Sequence, residues 1–324
     1  MRTLKKVFLT GAAGFIGSRT AQFLLDQQIE VVAVDNLNNY YDPKLKEHRL
    51  IPLNQSKLFH FYPADIENLS QMREIFQAHQ KQTPFDAIIN LAARAGVRYS
   101  MENPHIYLST NAQGTLNLLE LAREFAIGKF TLASTSSLYA GCQMPFNEEL
   151  AVNTPISPYA ASKKAAEAMC YSYHSLYQLD VSVVRYFTVF GPAGRPDMSL
   201  YRFIKWIQAE KAIELYGDGT QSRDFTFVDD IARGTIAATT HDVGYEVINL
   251  GGGRNPVTLL QIIEKLEKLI GKKAIIDFQP AHCADLKETW ADIQKAHQLL
   301  HWKPEISLDE GLAKTVQWHR DFDL

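Results

Sequence analysis

Three glycines spaced three residues apart follow a short apolar run near the start of the chain. The run at 5–10 has the β-branched and aromatic character of a strand, and an apolar-periodic helix is predicted over 15–27. Gly11 permits a tight turn, Gly14 lets the backbone approach a phosphate, and Gly17 lets the helix pack on the strand. Because a helix N-terminus presents unpaired amides, the segment predicts a pyrophosphate site. A flexible loop is the alternative.

The second predicted strand, over 29–35, ends on an acid. Asp35 follows Gly17 by 18 residues, close to the spacing expected for a carboxylate that binds the ribose of a dinucleotide. Such a carboxylate accepts hydrogen bonds from the ribose hydroxyls and repels a 2′-phosphate. No Arg follows it directly, because the next residues are Asn36, Leu37 and Asn38. The pattern therefore predicts NAD rather than NADP, against the alternative of an Asp that only forms a turn.

Strands and helices alternate through the first half of the chain. The predicted strands lie at 5–10, 29–35, 57–62, 86–91, 129–134 and 181–186, and the predicted helices at 15–27, 68–80, 104–126 and 157–178. Such alternation predicts an α/β fold with a doubly wound parallel sheet of the Rossmann type. The cofactor is expected to lie across the carboxyl ends of the strands.

The pattern changes after residue 187, where a turn-rich loop precedes a helix predicted over 199–211. Capping boxes are predicted at Thr258–Gln261 and Ser307–Glu310, with Gly271 ending the first of these helices. A strand at Tyr245–Leu250 and a helix over 229–240 are expected to rejoin the first domain. The predicted domains are 1–186 with 226–252 for NAD, and 187–225 with 253–324 for a smaller α/β substrate domain at the C-terminal side.

Composition and charge exclude several classes of protein. The net charge is −3, and Lys and Arg do not cluster, which argues against nucleic acid or an anionic membrane as partner. The widely separated Cys142, Cys170 and Cys283 indicate reduced thiols. The first strand begins at once and no apolar run reaches a membrane span, so a cytoplasmic enzyme is expected.

A tyrosine and a lysine share one face of the helix over 157–178. Tyr159 and Lys163 are four residues apart, and an ammonium beside a phenol favours the phenolate. The fifth strand ends in Ser134-Thr135-Ser136-Ser137, whose hydroxyls are expected near the nicotinamide. A solvated helix face and a polar strand cap are the alternatives, and the glycine turn with Asp35 makes both improbable.

Taken together, these motifs make the chain resemble the extended short-chain dehydrogenase/reductases, the nucleotide-sugar epimerases and dehydratases. The resemblance covers essentially the whole chain. It implies that Tyr159 is the catalytic base, Lys163 its electrostatic partner and Thr135 the assisting hydroxyl. The NAD contacts that it implies, together with the motifs above, are Gly11, Gly14, Phe15, Ile16, Gly17, Asp35, Asn36, Asp65, Ile66, Leu91, Ala92, Ala93, Tyr159, Lys163 and Tyr186.

Three stretches, 35–43, 95–104 and 185–198, are similar to UDP-glucuronate 4-epimerases. In those enzymes the residues matching Thr188 and Arg195 hold the sugar carboxylate, and the residue matching Arg223 binds the diphosphate. The substrate contacts implied are Arg94, Ser136, Ser137, Thr188, Arg195, Arg223 and Asp285, the last near the uridine ribose.

The chain departs from those epimerases at a few positions. Asn90 stands where His is usual, Arg94 where Gln is usual, and the segment 282–285 lacks a Gly before its acid. Related dehydratases and decarboxylases carry an acid one or two positions after the catalytic Thr, where this chain has Ser136 and Ser137. The resemblance therefore implies epimerisation, with the sugar left open by Arg94.

The function expected is 4-epimerisation of a UDP-sugar, UDP-glucuronate to UDP-galacturonate, by transient oxidation with tightly held NAD. The alternatives are another nucleotide-sugar epimerase acting on UDP-glucose or a UDP-N-acetylhexosamine, an NAD-dependent sugar dehydrogenase, and a non-catalytic redox sensor. No metal is expected, because His297 and His301 lack a third ligand. A homodimer is expected through apolar faces of the helices over 104–126 and 157–178, formed by Leu116, Leu119, Ala122, Ala165, Met169 and Tyr173.

Overall fold

The computed structural model describes residues 1–80, 83–254, 256–281 and 286–322. Its strands are β1 Lys6–Thr10, β2 Glu30–Asp35, β3 Phe59–Pro63, β4 Ala87–Asn90, β5 Lys129–Thr135, β6 Asp180–Tyr186, β7 Thr188–Phe190, β8 Ala212–Tyr216, β9 Ser222–Arg223, β10 Phe225–Phe227, β11 Tyr245–Leu250, β12 Val257–Thr258 and β13 Ile275–Gln279. Seven of them form one parallel sheet in the order β11-β6-β5-β4-β1-β2-β3. The predicted doubly wound fold is confirmed, and the strand order reverses between β1 and β4, where such sheets bind ligands.

The helices cover the sheet and build the C-terminal part. They are α1 Phe15–Asp26, α2 Pro43–Leu53, α3 Leu69–Gln80, α4 Val97–Glu102, α5 Pro104–Tyr107, α6 Gly114–Glu124, α7 Pro158–Tyr177, α8 Ser199–Gln208, α9 Val228–Thr240, α10 Leu259–Ile270, α11 Gln294–Leu300 and α12 Leu308–Asp321. No helix in the described ranges is both long and apolar enough to cross a membrane.

Two helix predictions need correction. Helix α2 was not predicted, because its apolar face is weak, although Asp42 caps it and Pro43 opens it. The single helix predicted over 104–126 is interrupted by a π-helical turn at Leu108–Gln113. That turn carries Asn111, whose side chain bonds both backbone groups of Arg94 at 2.8 and 3.0 Å. The interruption therefore anchors the loop that follows β4.

Both faces of the sheet are buried, which explains its nearly continuous apolar strands. Successive residues of β1 point to opposite faces: Val7 and Leu9 pack with α1, and Phe8 packs with α3 and α6. A separate core joins α8, α10 and α12 to the parallel pair β8–β13. The domain boundaries given above stay a prediction.

The caps of the last helices are as predicted only in part. At Thr258 the reciprocal box with Gln261 is formed, and Gly271 ends α10 in a left-handed conformation with φ +81°. At Ser307 the hydroxyl accepts from the Glu310 amide at 3.2 Å, but the Glu310 side chain does not return the bond. The second box is therefore half present.

The apolar faces expected to form a dimer are largely used inside the chain. Leu119, Ala122 and Tyr173 are buried in the core formed against the sheet, so they are not free to contact a second copy. Met169 on α7 is 40% exposed. The prediction of these particular contact residues was therefore wrong for three of its members, because the helix faces that carry them turn toward the sheet.

Candidate active site

The predicted cofactor and substrate residues that the structure describes line one cavity of about 780 Å³. It opens at the carboxyl ends of β1, β2, β4, β5 and β6, and its walls include Gly11, Asp35, Thr135, Tyr159, Lys163, Arg195 and Arg223. Asp285 lies outside the described residues. The structure thus brings together side chains that come from distant parts of the sequence, while their individual roles stay predictions.

The glycine turn is shaped to receive an anion. Gly11 has φ +70°, a conformation that residues with a side chain rarely adopt, and a Cβ on Gly17 would lie 2.0 Å from the carbonyl oxygen of Gly11. Gly14 caps α1 without a side-chain hydrogen bond, so the first amides of the helix are free to meet a ligand in the cavity. Unpaired amides at a positive helix end fit the pyrophosphate of a dinucleotide.

Asp35 is buried at the end of β2 and is held from two sides. Its carboxylate accepts from the amides of Ala13 at 3.2 Å and Leu37 at 2.9 Å. Lys46 of α2, which the sequence reading missed along with its helix, places Nζ 3.6 Å from Asp35 Oδ1. Burial lowers the pKa of Lys46, and Asp35 acts in the opposite direction. The Lys46 ammonium offsets part of the negative charge of Asp35. That charge is the feature predicted to repel the 2′-phosphate of NADP.

Tyr159 lies in the first turn of α7, which Ser157 caps by accepting from the Ala160 amide at 3.2 Å. Burial raises the pKa of Tyr159, whereas the Thr135 hydroxyl and the Arg195 guanidinium lower it by stabilising the phenolate. Arg195, which the sequence assigned to the sugar carboxylate alone, therefore also acts electrostatically on the candidate base.

Lys163 lies one helical turn after Tyr159 and is 3% exposed. Its Nζ donates to the Ala133 carbonyl at 2.9 Å. Burial lowers the pKa of Lys163 to about 8, and the carboxylate of Glu167 acts against that shift. A perturbed pKa of this kind is a feature of catalytic sites as well as of buried ion pairs.

Behind Lys163 lies a buried ion pair that sequence reasoning did not find. Glu167 accepts two hydrogen bonds from Arg185, at 2.9 and 2.7 Å, and one from the Ser134 hydroxyl at 2.6 Å. These contacts tie α7 to the ends of β5 and β6. The spacing of Tyr159, Lys163 and Glu167 at successive helical turns was the signal available in the sequence.

The departure at Asn90 is explained by packing. Asn90 is 1% exposed, accepts from the Thr10 hydroxyl at 2.7 Å and donates to the Thr115 hydroxyl at 3.0 Å. The Thr10 hydroxyl in turn accepts from the Ala92 amide at 3.0 Å. Asn90 thus fastens the loop after β4 to β1 and makes these contacts away from the cavity.

Arg94 lines the cavity on the side of the cofactor residues. Its Nε is buried and has no hydrogen-bond partner among the described residues. Its guanidinium is close enough to Lys46 to lower the pKa of that lysine. Arg94 therefore lies within electrostatic range of the Asp35 end of the cavity, and its contact with the sugar stays a prediction.

The remaining candidate substrate residues lie just after β5, at the start of β7 and at the end of β9. Ser136 and Ser137 begin a short 3₁₀ turn, with the Ser137 amide donating to the Thr135 hydroxyl at 3.1 Å. Thr188 opens β7, and Arg223 in β9 donates from Nη1 to the Ser222 carbonyl at 2.8 Å. No group of three or more His, Cys, Asp or Glu side chains within the described ranges is placed to hold a metal ion.

Comparison with known proteins gives a consistent result. Residues 7–251 match the family model described as the NAD dependent epimerase/dehydratase family. The chain is 58% identical, over 97% of its length and 95% of the relative's, to a UDP-glucuronate 4-epimerase of Thermodesulfobacterium geofontis. A crystal structure of UDP-glucuronic acid 4-epimerase from Bacillus cereus, in complex with UDP-glucuronic acid and NAD, superposes with a TM-score of 0.90 at 37% identity, covering 98% of this chain and 99% of that one. UDP-glucose 4-epimerase from Thermotoga maritima, solved with UDP-glucose, gives a TM-score of 0.85 at 30% identity over 98% and 99% of the two chains.

Proposed function

The chain belongs to the NAD dependent epimerase/dehydratase family, and on that premise we propose that it interconverts UDP-glucuronate and UDP-galacturonate. The observation that carries the proposal is the single cavity whose wall includes the glycine turn, Thr135, Tyr159 and Arg195. The reaction inverts carbon 4 without net oxidation, so the cofactor stays with the protein through each turnover.

NAD fits the residues present at the dinucleotide end. The glycine turn leaves no room for a side chain where a pyrophosphate would approach, and the Asp35 carboxylate is placed to accept from ribose hydroxyls. When bound, NAD supplies the hydride acceptor and donor for carbon 4. The chain's own task is to move one proton at the sugar hydroxyl and to hold the sugar in two orientations.

The transfer of the proton of the sugar 4-hydroxyl is assigned to Tyr159. Thr135 stands next to its phenol and stabilises the ionised form, as does Arg195. Lys163 adds a buried positive charge one turn further along α7. Tyr159 therefore removes the proton of the sugar 4-hydroxyl as hydride leaves carbon 4, and it returns that proton when hydride comes back to the other face.

A uronic acid makes the intermediate fragile, because a 4-keto uronate is a β-keto acid. Loss of carbon dioxide requires the bond to the carboxylate to stand perpendicular to the carbonyl plane. Arg195 and Thr188, which line the same cavity, would hold the carboxylate away from that alignment, which is a positioning effect. Ser136 and Ser137 occupy the positions where related dehydratases and decarboxylases carry an acid, which favours epimerisation.

Incubation with UDP-glucuronate and no added cofactor is expected to yield UDP-galacturonate. The physical reason is that the enclosed NAD is regenerated in each cycle. Products from a panel of UDP-glucuronate, UDP-glucose and UDP-N-acetylglucosamine are separated by anion-exchange chromatography, and the nucleotide released by denaturation is identified. Strict dependence on added NAD with net formation of NADH would establish a dehydrogenase instead, and released NADP would contradict the cofactor assignment.

The rate is expected to fall as the pH rises through about 8, because Lys163 loses its proton there. Burial depresses the pKa of this lysine, so its charge is complete below that value and lost above it. The measurement is kcat between pH 6.5 and 10. In Lys163→Arg the cation persists across this range, so a lower rate without the alkaline decline is expected. An unchanged decline in that variant would assign it to another group.

Assembly and cellular location complete the proposal. We keep a homodimer built on the α6 and α7 region as a proposal, supported by exposed apolar side chains at Leu108, Met169, Leu176 and Tyr177. A cytoplasmic location remains an expectation from the spacing of the cysteines.

A further inference from the structure

Arg195 has a planar guanidinium with two usable edges, and Asp197 occupies only one of them. Nε donates to Asp197 Oδ1 at 3.1 Å and Nη2 donates to Oδ2 at 2.5 Å, so the carboxylate lies along the side of the guanidinium. The Tyr40 hydroxyl also lies close enough to the guanidinium of Arg195 to interact with it. Because a guanidinium carries five N–H donors and Asp197 takes two of them, Arg195 keeps donors for a ligand in the cavity.

Asp197 is itself held by the tyrosine-rich stretch after β2. The Tyr40 hydroxyl donates to Asp197 Oδ2 at 3.3 Å, and the ring of Tyr40 packs on Tyr99 with centroids 5.1 Å apart. Burial, together with the neighbouring Asp197, raises the pKa of Tyr40 to about 12, and the Arg195 guanidinium acts in the opposite direction. The hydroxyl therefore keeps its proton and remains a donor to Asp197. The stretch at 35–43, which resembles UDP-glucuronate 4-epimerases, thereby reaches the sugar end of the cavity.

The backbone that carries Arg195 is fixed independently. Arg49 of α2, 4% exposed, donates to the carbonyls of Ala193 and Gly194 at 2.7 and 3.1 Å and to that of Ala13 at 3.1 Å. Arg49 therefore fastens the loop before Arg195 to the glycine turn. What remains free to turn is the side chain of Arg195, and Asp197 is the group that restrains it.

We propose that Asp197, supported by Tyr40, is a positioning residue that holds Arg195 side-on so that its remaining donors bind the substrate carboxylate. The inference rests on the proposed function, since only a uronate brings that carboxylate. A carboxylate meets the end of a guanidinium through two parallel hydrogen bonds, which requires the plane of the guanidinium to be set in advance. Asp197 sets that plane through its paired hydrogen bonds with Arg195.

Charge repulsion alone predicts the opposite direction of change in KM when Asp197 is neutralised. Asp197 is a negative charge beside the place assigned to a second carboxylate, so a bystander at this position repels the uronate. Neutralising a bystander lowers KM for UDP-glucuronate, whereas neutralising a positioning residue raises it. The direction of the change in KM therefore separates the two roles.

The test is Asp197→Asn assayed with UDP-glucuronate, recording KM, kcat and the fraction of decarboxylated UDP-pentose. Asparagine has one acceptor oxygen, and its amide opposes a guanidinium donor, so half of the side-on pair is lost. We expect KM to rise about tenfold, the scale of one lost charge-assisted hydrogen bond, with an increased pentose fraction. Tyr40→Phe is expected to move both readouts in the same direction by a smaller factor.

Asp229→Asn is the matched control. Asp229 pairs with Arg19 at 2.7 Å, and the side-chain exposures of 27% and 39% are close to the 30% and 24% of Asp197 and Arg195. It lies outside the cavity lining, so KM and the pentose fraction are expected to match wild type. A lower KM in Asp197→Asn, or an unchanged KM and pentose fraction, overturns the proposal. If Asp197→Asn does not fold, Tyr40→Phe decides by the same two readouts. Failure of the wild type to turn over UDP-glucuronate instead refutes the proposed function.

Discussion

Replacing Tyr159 with phenylalanine is expected to lower kcat by roughly two orders of magnitude or more, the usual scale for a removed acid–base group. The variant loses only the phenol oxygen, which is the atom that Thr135 and Arg195 stabilise in its ionised form. Because the ring still fills its place beside Tyr107, with centroids 6.0 Å apart, the fold and the bound NAD are expected to persist. The measurements are kcat with UDP-glucuronate and the NAD content of the purified variant.

Tyr107→Phe is the matched control for that result. Tyr107 is a buried neighbour whose hydroxyl donates to the Ala95 carbonyl at 2.9 Å. The Tyr107→Phe variant loses a phenol oxygen that lies outside the proposed proton path. Its kcat is therefore expected to stay within a few-fold of wild type, which is on the order of the effect of one structural hydrogen bond. Turnover near wild type in Tyr159→Phe would remove Tyr159 from the mechanism.

Replacing Arg195 with alanine is expected to lower kcat/KM for UDP-glucuronate by about a hundredfold, corresponding to two lost charge-assisted hydrogen bonds. Some product is also expected as UDP-pentose, because the 4-keto uronate is no longer held away from the geometry that releases carbon dioxide. Turnover of any residual UDP-glucose should change much less. The two rates and the pentose yield are measured together.

The competing explanation is that Arg195 only braces the loop before α8. In the structure Arg49 holds the carbonyls of that loop, and Arg195 pairs with Asp197 inside the loop. Equal losses for both sugars and no pentose would nevertheless favour bracing. Arg195→Lys keeps the positive charge but not the two parallel donors of the guanidinium. Its kcat/KM for UDP-glucuronate is therefore expected to lie between those of Arg195→Ala and wild type. The double variant Arg195→Ala with Arg94→Ala shows whether the Arg94 guanidinium replaces the positive charge lost at Arg195.

The sheet and its ligand-binding end were predictable because they depend on local patterns. Apolar runs of strand length, helix periodicity and the glycine turn each act over a few residues, and right-handed crossovers then dictate a parallel doubly wound order. The same locality made Asp35 and the Tyr159–Lys163 pair visible as candidates. Helix α2 was not predicted because its apolar face is weak, although Asp42 and Pro43 marked its start.

What the tertiary structure alone decided is which distant groups become neighbours. Asp197 and Tyr40 are 157 positions apart, and Arg49 and Ala193 are 144 apart, yet each pair is in hydrogen-bond contact. Leu119 and Tyr173, which were predicted as dimer contacts, show the same limit, because their helical spacing marks an apolar face but not what covers it. Sequence spacing specifies direction within one element, whereas packing between elements specifies partners. The positioning of Arg195, and the charge around Lys46, therefore follow from the fold and not from any motif.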